Sequence, residues 1–224
     1  MRLPRKSHWA LSLFAAVVAL TAWNRPTLAA APATQPTGDP YMLDTCPVSG
    51  EKLGEMGDPV VINYQGREIR FCCGMCPAKF NKEPAKYLAV IDKATIEKQM
   101  ASYPTDKCLV SNEKLGEDEK PVDFVYNNRL VRFCCNMCLA KFKKDPSKTL
   151  AALDKAVIEK QKPAYPLDTC VVSGKKLGDG AVDLVVGNRL VRLCCGDCVA
   201  AVKKNPTKYL QKIDDAAKAK APAK

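Results

Sequence analysis

The chain has 224 residues, 47% hydrophobic and 26% charged, with a formal net charge of +11 and a single histidine, His8. Beyond residue 29 it contains no histidine at all, which excludes His-based acid–base catalysis and His-ligated metals there. Four basic residues lie in the first 29, so the remainder carries +7, mostly Lys beside Asp or Glu on helical stretches. We read this as a solvated surface and expect no nucleic-acid partner.

Residues 1–29 have the pattern of a signal peptide. Arg2, Arg5 and Lys6 form a basic start, and a mostly apolar run from Trp9 to Trp23 is short for a membrane span. Thr27-Leu28-Ala29 supplies small residues, so cleavage is expected after Ala29. An uncleaved anchor is the alternative, and only then would the protein meet a membrane. Either way the body is expected to be periplasmic or secreted. Residues 30–40, AAPATQPTGDP, read as a flexible linker.

The rest repeats. Cys46, Cys108 and Cys170 are 62 residues apart, and each precedes a cluster: Phe71-Cys72-Cys73-Gly74-Met75-Cys76, Phe133-Cys134-Cys135-Asn136-Met137-Cys138 and Leu193-Cys194-Cys195-Gly196-Asp197-Cys198. All twelve cysteines are thereby assigned, four per copy. The expected domains are 41–102, 103–164 and 165–224, the last with a frayed tail from Ala216. Units of about 60 residues bury little core and often need a staple.

Within each unit the lone cysteine opens a turn, as in Cys46-Pro47-Val48-Ser49-Gly50. Gly50, Asn112 and Gly174 share a position suited to a left-handed backbone, and Gly54, Gly116 and Gly178 mark a second. A β-hairpin follows. Val60, Ile62 and Tyr64 alternate with Val61 and Asn63, the copies do likewise, and one face should be buried. Gln65-Gly66, Asn127-Asn128 and Gly187-Asn188 are two-residue turns. The return strand carries Ile69 and Phe71 (Val131 and Phe133; Val191 and Leu193) inward and runs into the cluster. A short helix from Met75 to about Asn81 buries Phe80, matched by Phe142 and Val202. A longer helix starts at Pro84, Pro146 or Pro206, with Asp145 and Asn205 as N-caps. In the first two copies it continues through Gln99 and Gln161, and the next unit begins at once, which favours a semi-rigid array.

A thiol at a helix start is expected to ionise readily, and thiolates are soft ligands for Zn²⁺ and Cu⁺. One ligand on a turn and others at a strand end and helix start is the layout of a treble-clef-like metal site. Two alternatives stand beside it. An even cysteine count in an oxidising compartment fits disulfides. Cys73-Gly74-Met75-Cys76 also has the C-x-x-C spacing of thiol-disulfide oxidoreductases, without the βαβ context those enzymes use. Met75 and Met137 are read as core packing in preference to soft ligands, because copy three has Asp197 there. Arg67/Arg70, Arg129/Arg132 and Arg189/Arg192 either neutralise the thiolates or are exposed strand positions.

Cys-Pro-Val-Ser-Gly at Cys46, Gly66-Arg67 leading to Phe71-Cys72, Cys76-x-x-x-Phe80 and Pro84-x-x-Tyr87-Leu88 together resemble the YHS/TRASH family of small heavy-metal-associated cysteine domains, over residues 41–213. The resemblance implies metal sensing, trafficking or transport, and Cys46, Cys72 and Cys76 as ligands, with Cys108, Cys134, Cys138 and Cys170, Cys194, Cys198 as counterparts. Two features depart from the family. The gap of 25 residues between Cys46 and Cys72 is longer than its usual one, and Ser49, Ser111 and Ser173 stand where many relatives have a second knuckle cysteine. Cys73, Cys135 and Cys195 are extra, and would complete four-cysteine sites. Strand parity, however, sets Cys73 on the buried face and turns Cys72 away unless the strand ends there, which makes one of each doublet a spectator.

The expectation is therefore an α+β protein of three tandem treble-clef-like modules: Cys turn, β-hairpin, short helix, longer helix. It would be a non-enzymatic, exported metal-binding protein holding zinc or copper(I), one ion per repeat. It would serve metal handling, with a metal transporter or other exported protein as partner, or act as a metal-stapled scaffold. A disulfide-stapled repeat protein is the alternative.

Overall fold

The computed structural model describes residues 38–117 and 119–220. The expected signal peptide and most of the linker lie outside them.

Three antiparallel hairpins recur: β1 (Val60–Tyr64) with β2 (Arg67–Phe71), β3 (Val122–Tyr126) with β4 (Arg129–Phe133), and β5 (Val182–Val186) with β6 (Arg189–Leu193). Their registers are equivalent, Val60 facing Phe71, Val122 facing Phe133 and Val182 facing Leu193. The turns carry φ of 53° and 85° at Gln65-Gly66, 46° and 69° at Asn127-Asn128, and 54° and 60° at Gly187-Asn188. Two successive positive φ values match the right-handed twist of the strands, and Asn and Gly accept them at least cost.

After each hairpin come a short and a long helix: α1 (Cys76–Lys82) and α2 (Pro84–Met100), α3 (Asn136–Lys144) and α4 (Pro146–Gln161), α5 (Cys198–Lys204) and α6 (Pro206–Lys220). Proline opens every long helix, where its missing N–H leaves no bond unmade. Asp145 caps α4 by accepting from the Ser147 N–H at 3.2 Å. Helix α6 extends to Lys220, past the expected fraying point at Ala216, because the Ala and Lys residues there are strong helix formers.

Each unit has its own core. Ile69, Phe71, Phe80 and Ile91 fill the first; Val131, Phe133, Phe142 and Leu153 the second; Val191, Leu193, Val202 and Ile213 the third. Tyr64 and Phe71 meet Phe80 edge-on, with ring centroids 5.2 and 5.6 Å apart. Met75 and Met137 belong to none of these cores. They are exposed, at 72% and 74%, which corrects the expectation of core packing: Met75 at the N-cap of α1 and Met137 in the first turn of α3 both point outward.

The hairpins of the second and third repeats bury both faces, not one. Leu130 and Leu190 are fully buried on the face opposite Val131 and Val191. In the second repeat that face is covered by the preceding long helix, whose Ile96 and Met100 pack into its core. Among the described residues no helix precedes the first hairpin, and Glu68 stands where the others carry leucine. Its carboxylate accepts from the Tyr41 N–H at 3.0 Å and pairs with Arg70 at 2.7 Å.

Buried amides tie helix to hairpin. Gln99 donates to the Asn128 carbonyl at 2.8 Å and accepts from the Leu130 N–H at 2.8 Å. Gln161 repeats this with the Asn188 carbonyl at 2.9 Å and the Leu190 N–H at 2.8 Å. The turn asparagines join neighbouring hairpins: Arg67 donates to Asn128 Oδ1 at 2.6 Å, and Arg129 to Asn188 Oδ1 at 2.9 Å. The same arginines pair with Asp92 and Asp154 on the long helices, as Arg189 does with Asp214. Arg70, Arg132 and Arg192 pair with Glu68, Asp123 and Asp183. Neither sequence reading of the arginines holds: carboxylates take up their charge, and Arg67 and Arg129 are buried.

The first repeat also touches the third. Arg70 donates to the carbonyls of Lys203 and Lys204 at 3.2 and 2.9 Å, and Met42 lies in the third core. Half-buried Asp39 accepts from the Gly187 N–H at 2.8 Å, and desolvation pushes its carboxyl upward against the pull of Arg129. The array closes on itself instead of stretching out.

Gln99→Ala leaves the Leu130 N–H and the Asn128 carbonyl buried without partners, and should cost roughly 2–4 kcal/mol. The less buried Gln161→Ala should cost less. Urea unfolding of the full chain reads both, and a Gln99→Ala midpoint equal to wild type would contradict this role.

Candidate metal centre

The lone cysteine of each repeat opens a tight knuckle. The Cys46 N–H donates to the Glu51 carbonyl at 2.7 Å, and the Gly50 N–H returns to the Cys46 carbonyl at 2.9 Å. Gly50, Asn112 and Gly174 take the left-handed conformation this turn requires, at φ 79°, 64° and 74°. Gly54 and Gly116 also have positive φ, but Gly178 does not. An isolated bridge, Thr45 to Lys52, closes the knuckle, and both other repeats have its equivalent.

The hairpin delivers the second sulfur. Strand β2 stops at Phe71, so alternation no longer governs the next residue. Cys72 turns inward and is 3% exposed, while Cys73 is partly exposed. Parity alone had favoured the reverse. Cys76, the first residue of α1, supplies the third sulfur and is buried.

Three triads result: Cys46, Cys72, Cys76; Cys108, Cys134, Cys138; and Cys170, Cys194, Cys198. Within each, the sulfurs all lie within 4.8 Å of one another. The strand-end and helix sulfurs are separated by 3.8, 3.6 and 3.9 Å respectively. A tetrahedral ion held at about 2.3 Å from each thiolate sets its sulfurs roughly 3.8 Å apart, so the triads have the right size for one soft ion each. All twelve cysteines are free thiols.

The extra cysteines sit beside the triads, not within them. Cys73 Sγ is 3.6 Å from Cys76, Cys135 Sγ is 3.8 Å from Cys134, and Cys195 Sγ is 3.7 Å from Cys194. The expected fourth thiolate is thus adjacent but outside the mutually close group. The knuckle serine approaches instead. Ser49, Ser111 and Ser173 place Oγ 3.3 Å from Cys72, Cys134 and Cys194. Sequence reasoning noted these serines only as replaced cysteines. Their recurrence three residues after each lone cysteine was the available signal.

The thiols divide by environment. Burial opposes ionisation of Cys46, but the Ser49 hydroxyl and the N–H groups of Cys72, Ser49 and Val48 outweigh it and lower its pKa to about 7. Cys108 is lowered to about 7 and Cys170 to about 6, again against burial and by the same kinds of partner. Burial, with hydrogen bonds from neighbouring thiols, raises Cys76 and Cys198 to about 12. The low-pKa thiols near each helix are Cys73, Cys135 and Cys195, before or outside it. The Met75 N–H favours the first, the Cys138 N–H the second, and the Cys194 thiol with the Asp197 N–H the third. A helix start alone therefore does not activate Cys76: burial wins there.

No protein-family model matches the chain, and no curated protein or solved structure is significantly similar to it.

In the reduced, metal-free protein, thiolate absorbance followed against pH should rise in separated steps. The knuckle cysteines should ionise by near-neutral pH while Cys76 and Cys198 stay protonated far into alkali. A single step for all thiols near the ordinary value of about 8.5 would contradict this division.

Proposed function

We propose that this chain is an exported soft-metal carrier or buffer, with one zinc or copper(I) ion per repeat and no enzymatic role. The observation that carries the reading is the threefold recurrence of a compact sulfur triad with no disulfide. Thiolate-rich donor sets select soft ions, the chemistry that storage and transfer use. The resemblance to YHS/TRASH domains and the signal-like first 29 residues support the same reading.

A carrier is favoured over a metal-stapled scaffold by a specific feature. The Gln99, Gln161, Asn128 and Asn188 network joins the repeats without recourse to the triads. Partial exposure of Cys134, Cys194 and Cys198 leaves the second and third sites open to ligand exchange.

The metal content and free-thiol count of the mature protein from its native compartment test the reading. Three ions and twelve thiols per chain are expected, and a strong chelator should remove the ions while far-ultraviolet circular dichroism stays unchanged. Six disulfides and no metal would overturn it. Unfolding on metal removal would replace the carrier with the scaffold.

A further inference from the structure

The three triads share their sulfurs but not their surroundings. The residue five positions after the lone cysteine is Glu51 in the first repeat, Glu113 in the second and Lys175 in the third. In the second repeat its carboxylate touches the triad at one sulfur, from outside the mutually close group: Glu113 Oε2 lies 3.1 Å from Cys134 Sγ and 3.1 Å from Ser111 Oγ, which holds it in place. Among the described residues, the Glu51 carboxylate makes no hydrogen bond to a site sulfur. A cleft of about 210 Å³ opens onto the second site, lined by Glu113, Glu117, Glu119, Lys114, Cys134 and Cys135.

We propose that Glu113 is a fourth, oxygen ligand that makes the second repeat a Cys₃Glu site selective for a divalent ion, and that the third repeat, with Lys175 at that position, keeps a three-sulfur site suited to a monovalent one. The inference rests on the metal-binding reading and adds the non-equivalence of its sites. The charges agree. Three thiolates and Glu113 sum to −4, which a divalent ion halves. Three thiolates alone sum to −3, which a singly charged soft ion brings to the same −2. A hard carboxylate added to soft sulfurs also shifts preference away from Cu⁺ and toward zinc-like ions, which accept Asp and Glu oxygen as well as sulfur. The cleft, with three glutamates to one lysine, concentrates cations at the second site.

The reduced, metal-free full chain, titrated anaerobically with Co²⁺ against a competing chelator, tests this. Wild type should show one tight Co²⁺ with tetrahedral d–d bands and weaker further binding. Glu113→Gln should weaken that first ion at least about tenfold and shift its bands, leaving the later ones unchanged. Lys175→Gln should leave that first ion unchanged. Both positions are exposed, so the fold should tolerate either change. If thiolate-to-cobalt charge transfer develops but Glu113→Gln titrates as wild type does, the proposal fails and the metal reading stands. Absence of charge transfer in wild type sinks both.

Discussion

The three hairpins are fixed to one another by buried amides, and the sites depend on that. Asn128 and Asn188 occupy the second position of tight turns at positive φ, and their side chains accept from arginines of the preceding hairpin. The main chains on either side are read by Gln99 and Gln161 from the preceding long helix. Burying these groups unpaired would be costly, so the network admits few alternative registers. A one-residue slip would turn every side chain of a strand over. It would also carry the strand-end cysteine away from the knuckle. The placement of Cys134 and Cys194 thus follows from hydrogen bonds made at the far end of the same strands.

The site itself is built from two local motifs and one long-range meeting. The knuckle positions Cys46 and aims N–H groups at its sulfur. The helix start positions Cys76. Neither is a site alone. The hairpin brings them together across about 30 residues of chain and adds Cys72 at its end. In the first and third repeats the outcome is a readily ionised knuckle thiol beside a helix thiol, Cys76 or Cys198, that burial holds protonated. Metal binding must therefore displace protons, and this couples uptake to pH.

Much of this was legible in the sequence because it is local. Period-two alternation, Asn-Asn and Gly-Asn turns and helix-opening prolines each encode their element within a few residues. The triads were legible through spacing and the family resemblance. What was hidden is polar and long-range. Arg67 and Arg129 read either as thiolate partners or as exposed strand positions, and Gln99 only as part of a helix, yet all three are buried and bonded to the next repeat. Glu68, where the copies have Leu130 and Leu190, was the trace of a first hairpin packed differently from the others. The inward turn of Cys72 was hidden because alternation fails once the strand ends at Phe71. Glu113 escaped notice because one charge in a charged chain carries no signal until its distance to a sulfur is known.

The central claim is that each repeat holds one soft ion in a sulfur triad. X-ray absorption at the edge of the bound metal, measured on the loaded full chain, tests it most directly. The account predicts a first shell dominated by sulfur, close to three per ion at about 2.3 Å for zinc, with at most a minor light-atom contribution. A first shell dominated by oxygen or nitrogen would contradict it.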